Sequence, residues 1–285
     1  MNDLIFLVNK KFFMIERLFQ TSQEPCSKSY SICTFVTCLE EYARCVDTFI
    51  ESGFDPSDCE YLFVDNSFGN KCSGFSGVNR FLLESKSKYV IFSHQDVRVN
   101  FDPRSELDRV LRSLQQAAPK WAVCGNAGID VLTGQHAARI AQCDDAPVSI
   151  GELPVRTFGL DENFFIVKRE ANLAVHGHFD SFHFYATELC FIADILGWES
   201  YVIDFCVTHE SRGNKDQQYF LSRKKWSRLR SLKQRTYVAN STSNLSVFSG
   251  HIALDFAFEK FFTSAATFRG QISGLIRRTL FERRI

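Results

Sequence analysis

The sequence predicts an α/β protein, a mostly parallel twisted sheet flanked by helices, and three observations lead there. Short runs rich in β-branched and aromatic residues recur at Ser31–Thr37, Tyr61–Val64 and Tyr89–Phe92, the pattern of strands buried on both faces. Helical spacing fills the intervals, so strand and helix alternate as in a βαβ array with right-handed crossovers. Each run then ends in polar residues: Thr37, Asp65-Asn66-Ser67 and His94-Gln95-Asp96. Ligands of open α/β sheets gather beyond the carboxyl ends of the strands, so Thr37, Asp65 and Asp96 are expected along one edge.

The totals fit that class. The chain has 285 residues, 45% of them apolar, with 29 Phe. That excludes a disordered or coiled-coil protein and allows one large core plus an extension. A net charge of zero hides a division: residues 1–210 carry 18 Lys+Arg against 29 Asp+Glu, a net −11, and residues 211–285 carry 15 against 4, a net +11. An acidic body with a basic tail divides the chain into an N-terminal extension (1–29), an α/β domain (30–213) and a basic, mainly helical C-terminal extension (214–285). Ten cysteines form no C-x-x-C pair, which removes zinc-ribbon and thioredoxin-like readings. Cys33, Cys124, Cys190 and Cys206 lie in apolar runs and are expected as core residues. A reducing cytoplasm suits this usage. Leu4–Val8 is too short for a signal-peptide core, and no run approaches the ~20 apolar residues of a membrane span. The expectation is a cytoplasmic protein, at most peripheral on the inner face of a membrane.

In chain order, Phe12, Phe13, Ile15, Leu18 and Phe19 predict a short amphipathic helix, closed by Gln23-Glu24-Pro25. After the first strand, Ala43, Val46, Phe49 and Ile50 recur at helical spacing over Glu40–Ser52, and Gly53 stops the helix. Val78–Leu83 predicts the next helix, and residues 105–118 another, with Leu107, Val110, Leu111 and Leu114 on one face. Trp121–Gly125 reads as a strand, Gly125-Asn126-Ala127-Gly128 as a turn, and 133–156 as irregular loop. Leu160–Val167 reads as a strand with an acidic entrance, in which Phe164 and Phe165 pack. Phe182–Leu196 follows as a helix ended by Gly197. Tyr201–Phe205 is a last strand leading into Val207-Thr208-His209-Glu210-Ser211.

No G-x-G-x-x-G follows the first strand and no G-x-x-x-x-G-K-[ST] occurs, so dinucleotide oxidoreductases and P-loop enzymes are disfavoured. Gly69, Gly74 and Gly77 are too widely set for either fingerprint. Without a phosphate-cradling loop, a bound diphosphate would need a metal, and Asp96 stands where a hard cation against phosphate would be held.

The series Asp65, Asn79, Phe92-Ser93-His94-Gln95-Asp96-Val97, Gly125-Asn126-Ala127-Gly128, Leu160-Asp161-Glu162, Tyr185-Ala186-Thr187-Glu188-Leu189 and Thr208-His209 resembles family 2 glycosyltransferases of the GT-A fold. It is most similar to the branch whose metal motif reads His-Gln-Asp rather than Asp-x-Asp, over about residues 31–213. The resemblance implies a GT-A-like (nucleotide-diphospho-sugar transferase) sheet. It also implies inverting transfer of a sugar, hexosyl or related, from a nucleotide-sugar to an acceptor, assisted by Mn²⁺ or Mg²⁺. Carried over residue by residue, Asp65 contacts the nucleobase with Thr37 beside it, and Asn79, His94 and Gln95 belong to the donor site. Asp96 binds the metal, approached by His209. Glu188 is the catalytic base, with Asp180 its rival, and Asp161, Glu162 and Asp180 lie on the acceptor side. His94 and Gln95 stand in place of the family's usual acidic partner.

The chemistry wants these groups. An acceptor hydroxyl attacking an anomeric carbon needs a positioned carboxylate to take its proton, typically worth ~10²–10⁴ in rate, and the departing diphosphate needs a cation. Asp96 and His209 offer an oxygen and a nitrogen ligand, a mixed set manganese tolerates better than calcium. The acceptor would be a glycan or lipid-linked hydroxyl, as in polysaccharide biosynthesis. A nucleotidyltransferase is the alternative enzyme reading, although Thr37-Cys38-Leu39-Glu40-Glu41 lacks its Gly-rich loop. A catalytically silent nucleotide-sugar-binding module is the alternative outside enzymes. In the tail, basic residues from Arg212 to Arg235 alternate with Tyr219, Phe220, Leu221, Trp226, Leu229 and Leu232, and His251–Phe268 forms a second apolar-aromatic segment. Such helices can lie over a diphosphate or on an anionic membrane; nucleic acid is not the expected partner.

Overall fold

A computed structural model describes residues 26–211, 217–233, 237–240 and 245–248. The first strand, β1 (Lys28–Val36), buries Tyr30, Ile32, Cys33 and Val36. Helix α1 (Leu39–Glu51) follows, with Cys45 and Phe49 on its buried side and Glu40 and Glu41 in the first turn, where carboxylates suit the helix dipole. Gly53 ends it at φ +95°, a conformation that favours glycine. Strand β2 (Cys59–Asp65) leads to α2 (Gly74–Glu84), capped by the Ser73 hydroxyl accepting from the Ser76 amide. Next come β3 (Ser87–Ser93), the two-residue β4 (Val97–Arg98) and α3 (Arg104–Ala117). In α3 the predicted face of Leu107, Val110, Leu111 and Leu114 is the buried one.

Strands β5 (Trp121–Gly125), β6 (Ala127–Asp130), β7 (His136–Gln142), β8 (Val148–Ile150), β9 (Val155–Leu160) and β10 (Phe164–Lys168) then run in succession. Helix α4 (Tyr185–Ile195), β11 (Glu199–Val202) and β12 (Val207–His209) complete the sheet. Its order is β2-β1-β3-β10-β5-β11-β9-β6-β7-β12-β4, with β8 on β7.

The expected class, an α/β sheet flanked by helices, is the one observed. Its parallel character is local, however. The trio β2-β1-β3 is parallel, as are β5 with β11 and β7 with β12. The other pairings are antiparallel, beginning where β10 inserts between β3 and β5. Because β1 lies between β2 and β3, the chain changes direction across the sheet beside β1. That creates the crevice where α/β proteins bind ligands.

Among the described residues Phe49, Phe54, Phe75, Phe164, Phe165 and Phe205 are fully buried, while Phe63, Phe68, Phe101 and Phe158 are exposed. Phe165 stacks on Phe92 with centroids 4.7 Å apart. Cys33, Cys124, Cys190 and Cys206 are buried as expected, and all ten thiols are free.

Four readings need correction. The stretch 133–156 is not irregular loop, since it holds β7 and β8, and Gly125–Gly128 is a strand junction into β6. The residues of β7 are mostly small or polar (Ala137, Ala138, Ala141, Gln142), so β propensity hides it and pairing to β6 and β12 makes it a strand. Leu160–Val167 is two strands broken at Asp161–Asn163, where the Asp161 carboxylate accepts the Asn163 amide at 2.9 Å, an Asx turn. Tyr201–Phe205 is not one strand, because β11 ends at Val202. Finally, in α4 the apolar residues Leu189, Phe191, Ile192 and Ile195 do not share one buried face. Tyr185, Ala186, Glu188, Leu189, Cys190 and Ala193 are buried, Phe191 and Ile192 are half-buried, and Ile195 is exposed. Apolar residues all round this helix leave the pattern unable to choose a face.

Residues up to Tyr219 make one compact unit and those from Phe220 a second. The extension expected to be mainly helical holds helix α5 (Gln217–Lys233) and also an antiparallel pair, β13 (Tyr237–Asn240) with β14 (Leu245–Phe248). The expected N-terminal helix at Phe12–Phe19 and the segment His251–Phe268 lie outside the described residues. No helix among the described residues is long and apolar enough to cross a membrane.

Candidate functional site

At the end of β3 the chain turns sharply, the Val97 amide donating to the His94 carbonyl at 3.2 Å, and β4 begins. This i to i+3 turn presents His94 and Asp96. Strand β12 pairs antiparallel with β4, His209 opposite Val97, and parallel with β7. Residues 113 positions apart are thereby brought together. His209 Nε2 lies 3.3 Å from Asp96 Oδ1, His94 Nδ1 lies 4.0 Å from the same oxygen, and the imidazole centroids are 5.5 Å apart. One ligand atom from each of the three lies within 4.8 Å of the others. The His209 side chain is 8% exposed, that of Asp96 17% and that of His94 39%, so the cluster is backed by protein and open on the His94 side.

The electrostatics follow from this packing. Burial opposes the charge on Asp96, but the hydrogen bond and charge of His209, the Ser211 hydroxyl and His94 outweigh it and hold the carboxyl well below the usual range. Desolvation in the cleft and then neighbouring His209 hold the His94 imidazole below its ordinary value. An ionised Asp96 carboxylate and a neutral His94 imidazole are the protonation states those two groups need as metal ligands. The donor set fits as well. Two ligands each ~2.1 Å from a small divalent ion and at right angles lie ~3.0 Å apart, so the 3.3 and 4.0 Å separations close with a small inward shift. Two imidazoles and one carboxylate leave positions open for other oxygens, as facial triads do.

The cluster opens into a cleft of about 640 Å³. Its floor is Ala127, Ala138 and Ile140 from β6 and β7, flanked by Val148 and Ile150 of β8. Asp161, Glu162 and Asn163 form one wall, His183 and Tyr219 another, their rings 5.4 Å apart. The acidic turn is tied to the His94–Asp96–His209 cluster through its backbone, the His94 amide donating to the Asn163 carbonyl at 2.9 Å. Burial, and then the charge of Asp161, push the Glu162 carboxyl up to about 8, against the opposing amides of Phe184, Ala186 and Tyr185 at the start of α4. Phe184 there takes φ +75°, a strained conformation for a bulky side chain.

Of the residues singled out from sequence, His94, His209, Asp161 and Glu162 line this cleft, with Asp96 bonded to His209 at its inner end. Thr37 and Asp65 stand at the ends of β1 and β2, on the expected edge, Asp65 opposite Val36. Asp65 is engaged locally by the Ser67 hydroxyl and amide and by Lys71 at 3.6 Å, which hold its carboxyl below the ordinary value. Gln95 is committed within the fold. Its carbonyl accepts the Thr37 and Cys38 amides at 2.8 and 3.0 Å, and its NH₂ donates to Thr37 Oγ1 and Glu41, both at 2.9 Å. It thus satisfies amides at the start of α1, which has no cap from its own Cys38. Asn79 clamps the backbone of Val175 in both directions, at 2.9 and 2.8 Å, and lines a different, smaller hollow. Glu188 is 1% exposed and is not among the cleft-lining residues, and exposed Asp180 is outside the lining as well. Sequence reasoning missed His94 as a third metal-ligand candidate, although its place two residues before Asp96 was the available signal. It also missed Ser211, His136 and Tyr219, which carry no motif.

No family model matches the chain. A protein of Fuscovulum blasticum named "ATP synthase subunits region ORF 6" is 32% identical over 195 residues, spanning 67% of this chain and 78% of that protein. The chain belongs to that protein's family. The relative's name states a gene region and no activity. Among solved structures, the chain is similar to S. aureus TarS 1-349 at 8% identity and a TM-score of 0.42, covering 64% of this chain and 60% of that one. It is similar to a glycosyltransferase involved in the glycosylation of the major capsid of PBCV-1 at 10% and 0.37, covering 69% and 99%. It is also similar to the inositol-1-phosphate CTP transferase from T. maritima at 10% and 0.31, covering 70% and 96%. With identities this low, what this chain does is read from its own residues.

Proposed function

We propose that the chain is a divalent-metal-dependent glycosyltransferase that moves a sugar from a nucleotide-sugar to an acceptor hydroxyl by single displacement with inversion. The observation that carries this reading is the His94–Asp96–His209 cluster at the carboxyl end of β3, opening into a cleft walled by carboxylates. His94, Asp96 and His209 would hold Mn²⁺ or Mg²⁺, which supplies neutralisation of the leaving diphosphate. The nucleoside would lie toward β1 and β2, by Thr37 and Asp65. Gln95 and Asn79 serve the donor side by fixing backbone rather than by touching ligand.

The acceptor, a glycan or lipid-linked hydroxyl, would occupy the floor formed by Ala127, Ala138 and Ile140. Its proton goes to Asp161 in this reading. Asp161 is exposed to the cleft and spends one oxygen on the Asn163 amide, whereas Glu162, at about 8, is largely protonated at neutral pH. Glu188, the base expected from the family pattern, is buried in α4 and is assigned the support of that helix. The basic residues beyond Arg212 would bring the enzyme to an anionic membrane holding a lipid-linked acceptor. Unchanged liposome binding after removal of residues 236–285 would discard that last point.

The test is a panel of nucleotide-sugars with Mn²⁺ or Mg²⁺, scored for donor hydrolysis and transfer. Turnover by the wild-type chain and its loss in Asp96→Ala are expected. No turnover of any donor, or full activity in Asp96→Ala, would overturn the reading.

A further inference from the structure

Arg98 is 6% exposed, and its guanidinium bonds straddle the metal cluster. One terminal nitrogen donates to the carbonyls of Gln95 and Val97, both at 2.9 Å, on either side of Asp96. The other donates to the Glu210 carboxylate at 2.5 Å, in the residue after His209. Glu210 closes the brace, its own amide donating to the Asp96 carbonyl at 2.9 Å.

The brace has work that the strand pairing cannot do. β4 and β12 share two pairs, Thr208 with Arg98 and His209 with Val97. So short a ladder is marginal by itself; since three further pairs hold β12 to β7, the register left weakest is that of the β4 segment after Asp96 against His209. A planar fork that reaches two carbonyls and a carboxylate fixes both segments at once, which a point charge cannot.

We infer that Arg98, acting with Glu210, is the positioning residue of this metal cluster, setting the approach of His209 to Asp96. The inference rests on the metal site of the proposed function and not on sugar transfer. It assigns Arg98 no contact with donor or acceptor.

The test is Mn²⁺ binding by the full chain, followed by electron paramagnetic resonance, in wild type, Arg98→Met, Arg98→Lys and Glu210→Ala, with circular dichroism melts in chelator. Loss of a supporting partner behind a metal ligand costs about 10- to 100-fold in affinity. Arg98→Met and Glu210→Ala should fall in that range with an altered bound-Mn²⁺ spectrum, and Arg98→Lys should recover part of the loss. Wild-type affinity and spectrum in Arg98→Met would overturn the inference. If Arg98→Met does not fold, unchanged binding in Glu210→Ala overturns it instead. A wild-type chain that binds no Mn²⁺ sinks both this inference and the metal site. Binding that depends on Arg98 in a chain that turns over no donor leaves the inference standing and removes sugar transfer.

Discussion

Asp96 and Glu162 are two carboxylates of one cleft pushed in opposite directions by their neighbours. Asp96 has two imidazoles and a hydroxyl around it and stays ionised. Glu162 has Asp161 beside it and little water, and ionises at about 8 instead of the ordinary 4.5. The folded chain therefore holds the Glu162 proton more tightly than the unfolded chain does. The stability this confers is full below about 4.5 and is lost as pH rises toward about 8. Glu162→Gln should flatten the decline of stability between those limits, measured by denaturant unfolding at several pH values, and an unchanged slope would contradict the assignment. Asp161→Asn should lower kcat by ~10²–10⁴ if Asp161 takes the acceptor proton, with Mn²⁺ affinity held. The same loss from Glu188→Gln alone, with Asp161→Asn active, would return the role to α4. Much of this scale was legible beforehand: Asp96, Asp161, Glu162 and His209 are all named by motif. What could not be read was which groups the fold consumes. The Gln95 amide and the Asn79 side chain look uncommitted in one dimension, and only the positions of Thr37, Glu41 and Val175 show that both are hydrogen-bonded within the fold.

Among the elements, the apolar parallel strands announced themselves, and the strands under the cleft did not. β1, β2 and β3 carry runs of Ile, Val, Phe and Tyr, whereas β6 and β7 mix Ala and Gly with polar residues, so that their strand character comes from neighbours. Gly128 shows why they must be small. A Cβ there would sit 2.6 Å from the Gly159 carbonyl and 2.9 Å from Val202, and backbone cannot yield as a side chain does. Gly128→Ala should cost about 1–3 kcal/mol and disturb the cleft floor. Thermal unfolding checks it, and a stability equal to wild type would show that β9 moves freely. Phe165 tests the opposite kind of contact. It is fully buried on β10 and stacked on Phe92, so Phe165→Ala should cost about 3–5 kcal/mol, loosening β3 just before the metal turn.

At the scale of the whole molecule, the chain's change of direction beside β1 opens a crevice, antiparallel β10 follows β3, and the two-residue β4–β12 ladder carries His209 to Asp96. The acidic body thus gathers the three side chains that would hold a metal from the end of β3 and the far end of the sheet. Such a cluster exists only in the folded chain, so a metal bound there would add to stability by mass action. Mn²⁺ at 100 times its dissociation constant should stabilise wild type by about 2.7 kcal/mol and leave Asp96→Ala unmoved. The most direct measurement is calorimetric titration of the full chain with a panel of nucleotide-sugars, with and without Mn²⁺. Saturable binding of at least one donor that requires Mn²⁺ and disappears in Asp96→Ala is the predicted result. Donor binding of equal strength without metal, or surviving intact in Asp96→Ala, would contradict the account.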